Sequence, residues 1–252
     1  MQSTAIQLKL FPPEAEKPGQ LPGFSVRESG RAKRLSIKVF PRGGVEVVVP
    51  RRTKPREVQE FVSENREWIE RARASFAADH DPESFALPQQ IRLPAIGKSV
   101  RVRYLEQPHR KSIRYNCSQG VLTLSGRTGD EAQCVAAIRR WLAATAKREF
   151  APMLAALSAL TGSPYTKMHV RAQRSCWGSR SSSGTISLNL CLLFVEPALL
   201  RYLMIHELCH ARHMNHSRRF WQRVGRFEAD YKRLDRALGE AWRKVPAWLG
   251  LY

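Results

Sequence analysis

Apolar and polar residues alternate in two places along the 252-residue chain. Arg34-Leu35-Ser36-Ile37-Lys38-Val39 runs past Gly43-Gly44 into Val45-Glu46-Val47-Val48-Val49. Arg110-Lys111-Ser112-Ile113-Arg114-Tyr115 runs past Gly120 into Val121-Leu122-Thr123-Leu124. A period of two on both sides of a glycine turn predicts a β-hairpin. Helical stretches follow over residues 55–76, with Trp68 and Ile69, and over 130–150, with Trp141 and Leu142. The chain therefore predicts two ββα units with the tryptophans as core anchors. Residues 82–98 form a Pro-containing connector into a strand over 99–105. Ahead of the first hairpin, Pro12, Pro13, Pro18, Gly19 and Pro22 break any regular element, so residues 1–22 read as a disordered tail.

After the second helix, residues 168–173 and 185–190 read as strands. The Ser- and Gly-rich stretch 174–184 between them reads as a turn. Pro197 then opens an apolar helix. Ser217 is placed to cap a helix over about 218–231, and residues 235–245 read as a last helix. The expected architecture is α+β: a β-rich ββα region over residues 23–127, then a compact domain over 128–252. The central helix of that domain is expected to pack on a small sheet.

That helix carries His206-Glu207-Leu208-Cys209-His210, an H-E-x-x-H sequence. Histidines four apart share a helix face about 6 Å apart along the axis, so both rings can reach one zinc ion at about 2.0–2.1 Å. Glu207 is expected to take a proton from water at the metal rather than to bind it. A third ligand is needed. His213 would lie about 10 Å along a straight helix from His206, too far for one ion. Asn215 tolerates the left-handed conformation that ends helices, so the chain can turn there and bring His216 back over the site. His206, His210 and His216 are the expected zinc ligands, and Glu207 the catalytic base. Several histidines and a glutamate on a buried helix are costly unless something binds them.

Composition adds a partner class. The chain has 42 Lys and Arg against 22 Asp and Glu, a net charge of +20. Such an excess favours polyanions such as DNA or RNA. No apolar run reaches membrane-spanning length. The first residues lack a basic start and a continuous apolar stretch, so no signal peptide is expected. Cys117, Cys134, Cys176, Cys191 and Cys209 are scattered without a C-x-x-C pair, which suits reduced thiols and a cytoplasmic location.

These residues together resemble the YgjP-like metallopeptidase family, one of the short zincins near the SprT-like proteins. The resemblance covers roughly residues 27–243. It is carried by Lys33-Arg34-Leu35-Ser36-Ile37, Trp68-Ile69-Glu70, Arg174-Ser175-Cys176-Trp177-Gly178-Ser179-Arg180 and Gly184-Thr185-Ile186-Ser187-Leu188-Asn189. It is carried further by His206 to His210 with Asn215-His216-Ser217 and Phe220-Trp221. The family usually has Arg before the Trp-Gly-Ser and Cys after it. Here Cys176 precedes and Arg180 follows, an exchange that leaves any role of that cysteine without a carrier. Cys209 also takes a place usually held by Ala. The resemblance implies a zinc-dependent hydrolase, with residues 128–252 as its zincin-like catalytic domain. SprT-like proteins cut proteins crosslinked to DNA, and the YgjP family has been associated with nucleotide pyrophosphate hydrolysis.

Trp177, Ser179, Arg180 and Asn189 are the candidate substrate-binding residues, Asn189 as the end of an edge strand that pairs with an extended peptide. Phe220 and Trp221 read as core, and His213 as a surface or supporting group. The expected function is a zinc metallopeptidase acting on polypeptides, with action near DNA as an added possibility. The alternatives are a metal-dependent nucleoside triphosphate pyrophosphatase and a non-catalytic nucleic-acid-binding protein with a structural zinc. Finally, Gln7-Leu8-Lys9-Leu10-Phe11 resembles the QLxLF peptide with which bacterial replication proteins dock on the sliding clamp, which makes the clamp a candidate partner.

Overall fold

The computed structural model describes residues 24–30, 32–39, 44–79, 86–173 and 176–249. The clamp-like segment at residues 7–11 and the rest of the tail lie outside them. The chain divides into two compact units between Pro82 and Glu83.

In the first unit, β1 (Phe24–Glu28), β2 (Ser36–Val39) and β3 (Val45–Val49) form a sheet in the order β1-β3-β2. The hairpin pair β2 and β3 is antiparallel, and β1 adds a parallel strand on the other side of β3. Helices α1 (Pro55–Glu64) and α2 (Arg66–Asp79) follow. Asn65 separates them, its side-chain amide donating to the Phe61 carbonyl at 2.8 Å. The core joins Val45, Val47 and Val49 to Val58, Val62 and Ile69. Trp68 is no anchor: it is 47% exposed, and its neighbour Ile69 turns inward instead.

The second unit begins with a four-stranded sheet in the order β4-β5-β7-β6, built from β4 (Gln90–Leu93), β5 (Lys98–Glu106), β6 (Arg114–Ser118) and β7 (Val121–Gly126). Asp130 caps α3 (Glu131–Thr161), its carboxylate accepting from the Gln133 amide at 3.0 Å. This helix runs on past Pro152 and ends only at Gly162, whose φ of 57° is left-handed and suits a residue without a Cβ. A boundary at 127 would part this sheet from α3, yet the two are joined: Arg140 reaches the Ile113 carbonyl at 2.9 Å and Lys98 reaches Glu149 at 2.8 Å. The second hairpin thus packs with α3 in the second unit.

A three-stranded sheet follows, β8 (Lys167–Arg171), β9 (Gly178–Arg180) and β10 (Thr185–Asn189), in the order β8-β10-β9. The stretch expected to be only a turn therefore contains a strand. β10 lies in the middle, parallel to β8 and antiparallel to β9, so the edge beside the site is β9. A 3-10 turn, Leu190–Phe194, leads to α4 (Pro197–Cys209). Leu199, Leu200, Leu203, Met204, Ile205 and Leu208 bury α4 in the core. Helices α5 (Arg218–Phe227) and α6 (Tyr231–Glu240) close the chain with two short 3-10 turns, Ala241–Lys244 and Ala247–Leu249. Ser217 stands at the start of α5, but its side chain makes no capping bond. Arg223 fastens α5 to the end of α3, donating to the Thr161 carbonyl at 2.7 Å and to Ser163 Oγ at 3.0 Å.

Candidate metal centre

α4 ends at Cys209, and His210 is the residue that leaves it, still with right-handed backbone angles. The chain then crosses His213 and Asn215 to reach His216 just before α5. This return needs no left-handed residue at Asn215. Among the described residues, Arg52 and Gln119 are the non-glycine positions with positive φ. The early end of the helix, rather than a special turn, lets His216 fold back.

The ligand atoms of His206, His210 and His216 all lie within 4.8 Å of one another. His206 Nε2 and His216 Nε2 are 3.0 Å apart. Two nitrogens at 2.0–2.1 Å from one tetrahedral ion sit roughly 3.4 Å apart, so the set closes on an ion of that size with small ring movements. Each α4 histidine is oriented through its other nitrogen. His210 Nδ1 donates to the His213 carbonyl at 2.9 Å. Tyr202 gives its hydroxyl proton to Asp235 Oδ1 at 2.7 Å, and its oxygen is left to face His206 Nδ1 at 3.4 Å. Both contacts favour the tautomer that presents a bare Nε2 to a metal. Burial, with the neighbouring rings of His210 and His216 adding to it, holds His206 neutral by pushing its pKa down to about 3. A neutral imidazole is the form that ligates.

Aromatic rings fix the triad from below. Phe220, fully buried, stacks on His210 at 4.5 Å and meets His206 and His216 edge-on at 4.9 and 4.8 Å. Trp221 stacks on His216 at 5.6 Å and is itself backed by Tyr231 at 5.3 Å. The pair expected to be plain core thus forms the bed on which the imidazoles lie.

Glu207 is buried under strand β9. It is 4% exposed, and its Oε2 has no hydrogen-bond partner among the described residues. Burial pushes its pKa up to about 8, against the pull of the Arg180 guanidinium. Strand β9 passes directly over it: a Cβ on Gly178 would come within 3.0 Å of Glu207 Oε1. Arg180 ends that strand. One of its amino groups donates to the Pro164 carbonyl at 2.8 Å, while Nη1 is buried without a partner among the described residues.

The other candidates separate. Ser179 is exposed on β9, opposite Ser187. Trp177 is buried and stacked on Trp242 at 4.0 Å, so it anchors β9 rather than lining an open cleft. Asn189 is fully buried. Its amide donates to the Gln173 and Cys176 carbonyls at 2.7 and 2.9 Å, and its oxygen accepts from the Cys191 amide at 3.0 Å. It holds the loop that launches β9, and does so from the central strand, not from an edge. Cys176 is half-buried, its thiol pushed up by burial and then by the Glu207 charge. Tyr202 and Asp235 went unseen in the sequence. Tyr202 alone left a trace there, standing four residues before His206 on the same helix face.

A family model for the YgjP-like metallopeptidase domain matches residues 33–241. The chain belongs to that family. This YgjP-like chain is therefore a metallopeptidase, and its histidine triad is a donor set that can hold the metal ion such an enzyme uses. Among solved structures, the metallopeptidase zymogen of Pyrococcus abyssi abylysin aligns at 26% identity over 37% of this chain and 96% of its own. The TM-score is 0.33, and at that level the likeness carries no structural argument. No curated protein matches the chain. Among the described residues, no helix is long and apolar enough to cross a membrane.

Proposed function

We propose that the protein is a zinc-dependent peptidase of the H-E-x-x-H type, with His206, His210 and His216 as ligands and Glu207 as general base. The observation that carries this reading is the convergence of three oriented imidazoles beside a buried carboxyl with a free oxygen. A zinc ion held by these three histidines would supply Lewis acidity toward a scissile carbonyl and toward water. Glu207 accepts the proton through Oε2 and returns it to the leaving amine. A carboxyl whose pKa lies near neutrality is suited to both transfers. Arg180 offsets the burial of Glu207, keeps its charged form accessible, and has a buried Nη1 that can steady a developing oxyanion.

β9 is the strand edge that an extended peptide would join, laying main-chain groups beside Glu207, with Ser179 facing out. This favours a peptide over a nucleoside triphosphate. A triphosphate would need several cations at the metal, and among the described residues Arg180 is the one cation coupled to Glu207. A structural zinc, in turn, takes four protein ligands, whereas three converge among the described residues. The +20 charge supports work on polypeptides held near DNA or RNA in the cytoplasm.

The test incubates zinc-loaded protein with a panel of unfolded proteins and with nucleoside triphosphates, using Glu207→Gln as the control. Peptide cleavage lost in the variant supports the reading. Triphosphate cleavage alone, or cleavage undiminished in the variant, overturns it.

A further inference from the structure

The four-stranded sheet of the second unit has two unlike faces. Ile91, Leu93, Val100, Leu122 and Leu124 are buried on one, and Lys98 on that side pairs with Glu149 of α3. The strand registers place the opposite parity together on the other face. Gln90 lies against Arg101, Arg92 against Ser99, Arg103 against Thr123, Thr123 against Asn116, and Ser125 against Arg114. Completed by Leu105, Val121 and Ser118, this face carries four arginines and no carboxylate. Arg92, Arg101, Arg103 and Arg114 are all exposed. None of them has an ion pair or side-chain hydrogen bond among the described residues, unlike Arg27, Arg56, Arg66 and Arg148, which pair with glutamates.

Their arrangement is oblique. Arg92 is on β4, Arg101 and Arg103 are one and two residue pairs further along on β5, and Arg114 is another pair along on β6 at the far edge. With strands about 4.8 Å apart and about 6.8 Å per residue pair, the line from Arg92 to Arg114 spans roughly 25 Å. That length matches roughly seven nucleotides at 3.4 Å each. Beside Val121 and Leu105, the residues between the arginines are Ser, Thr, Asn and Gln, groups that hydrogen-bond phosphate oxygens. No aromatic ring stands on this face, so nothing there stacks a base.

We propose that this sheet face is a docking surface for the phosphodiester backbone of a nucleic acid strand, bound without base preference. The charge complementarity is one-sided: a row of unpaired cations with no competing carboxylate fits a linear polyanion. The inference goes beyond the peptidase reading and does not depend on it, because binding here needs neither the metal nor Glu207.

The test is fluorescence anisotropy on the full chain with labelled single-stranded DNA, duplex DNA and RNA of mixed sequence, titrated from about 50 to 200 mM salt. Arg101→Gln with Arg103→Gln is compared with Lys232→Gln with Arg236→Gln, a double change on α6 that removes the same charge. We expect the sheet variant to bind about tenfold more weakly, with the slope of log affinity against log salt reduced by about two. The α6 variant should stay within about twofold of the parent. Equal weakening by both variants would show that the charge acts diffusely and overturns the proposal. So would unchanged binding by the sheet variant, or binding of anionic lipid vesicles in place of nucleic acid. Glu207→Gln should bind like the parent, which separates this result from the peptidase test.

Discussion

Gly178 and Glu207 are packed so closely that a methyl group on the glycine would lie 3.0 Å from Glu207 Oε1, 3.2 Å from its Cγ and 3.3 Å from its Cδ. The glycine is there for space, because strand β9 crosses directly over the carboxyl. Gly178→Ala should displace Glu207 while leaving the histidines alone. The expected result is a fall in kcat/KM of about tenfold or more, since small misplacements of a catalytic group are costly. Zinc content by elemental analysis should not change. An unchanged kcat/KM would mean that the carboxyl does not work from the position it occupies here.

The proposed metal ligands can be told from their supports by two kinds of substitution. His206→Ala, His210→Ala and His216→Ala should each abolish stoichiometric zinc retention after dialysis against a weak chelator. His213→Ala should retain the metal, because what His213 gives to His210 is its backbone carbonyl at 2.9 Å. Metal loss in His213→Ala with retention in His216→Ala would reverse the assignment of the third ligand.

In the proposed site, Tyr202 and Asp235 would act on the metal through His206. Tyr202→Phe removes the oxygen facing His206 Nδ1 and leaves the ring buried in the same place. Zinc affinity, measured by competition with a chelator of known strength, should fall roughly 10- to 100-fold, the usual effect of such supporting contacts. Asp235→Asn should fall in the same range, since the amide accepts from the Tyr202 hydroxyl less strongly. A loss of stability with no change in zinc affinity would count against this chain of contacts.

The sequence exposed the centre and hid its surroundings, for physical reasons. Pro197, an unbroken apolar run and the four-residue histidine spacing are local signals, and α4 is where they predict. His216 was also legible, though the reason differs: the helix stops at Cys209, so no left-handed Asn215 is needed. The sequence predicts this helix only over 130–150, yet packing carries α3 past Pro152 to Thr161. Strand β9 was invisible because its three residues, Gly178, Ser179 and Arg180, carry no apolar alternation and exist only by pairing with β10. Tyr202 and Asp235 are 33 positions apart, so only the tertiary fold brings them together. Trp68 misled because helical periodicity places it and Ile69 on adjoining faces, and the smaller residue took the core.

The aromatic bed makes a separate claim. Phe220 is fully buried against all three histidines. Phe220→Ala should cost about 3–5 kcal/mol in chemical unfolding, as other buried phenylalanines do. Phe220→Leu should restore most of that stability. It should still hold zinc more weakly than the parent, because a leucine fills the space without the flat face that sets the His210 ring. Equal zinc affinity in Phe220→Leu and the parent would reduce Phe220 to a core residue.

Asn189 gives the clearest separation between a substrate contact and a scaffold. All of its bonds are internal: two carbonyls, of Gln173 and Cys176, and the Cys191 amide. Removing the side chain leaves these buried groups without partners, and each such group costs about 1–3 kcal/mol. Asn189→Ala should therefore lower stability by on the order of 3 kcal/mol. Asn189→Asp should do at least as much harm, because a carboxylate cannot donate and would face two carbonyl oxygens at the same distances. The loop it holds leads into Trp177 and Gly178, so β9 loses its anchor and kcat should fall along with stability. A residue that bound substrate would behave differently, raising KM while leaving the unfolding midpoint in place. A rise in KM at unchanged stability would return Asn189 to the substrate side of the site.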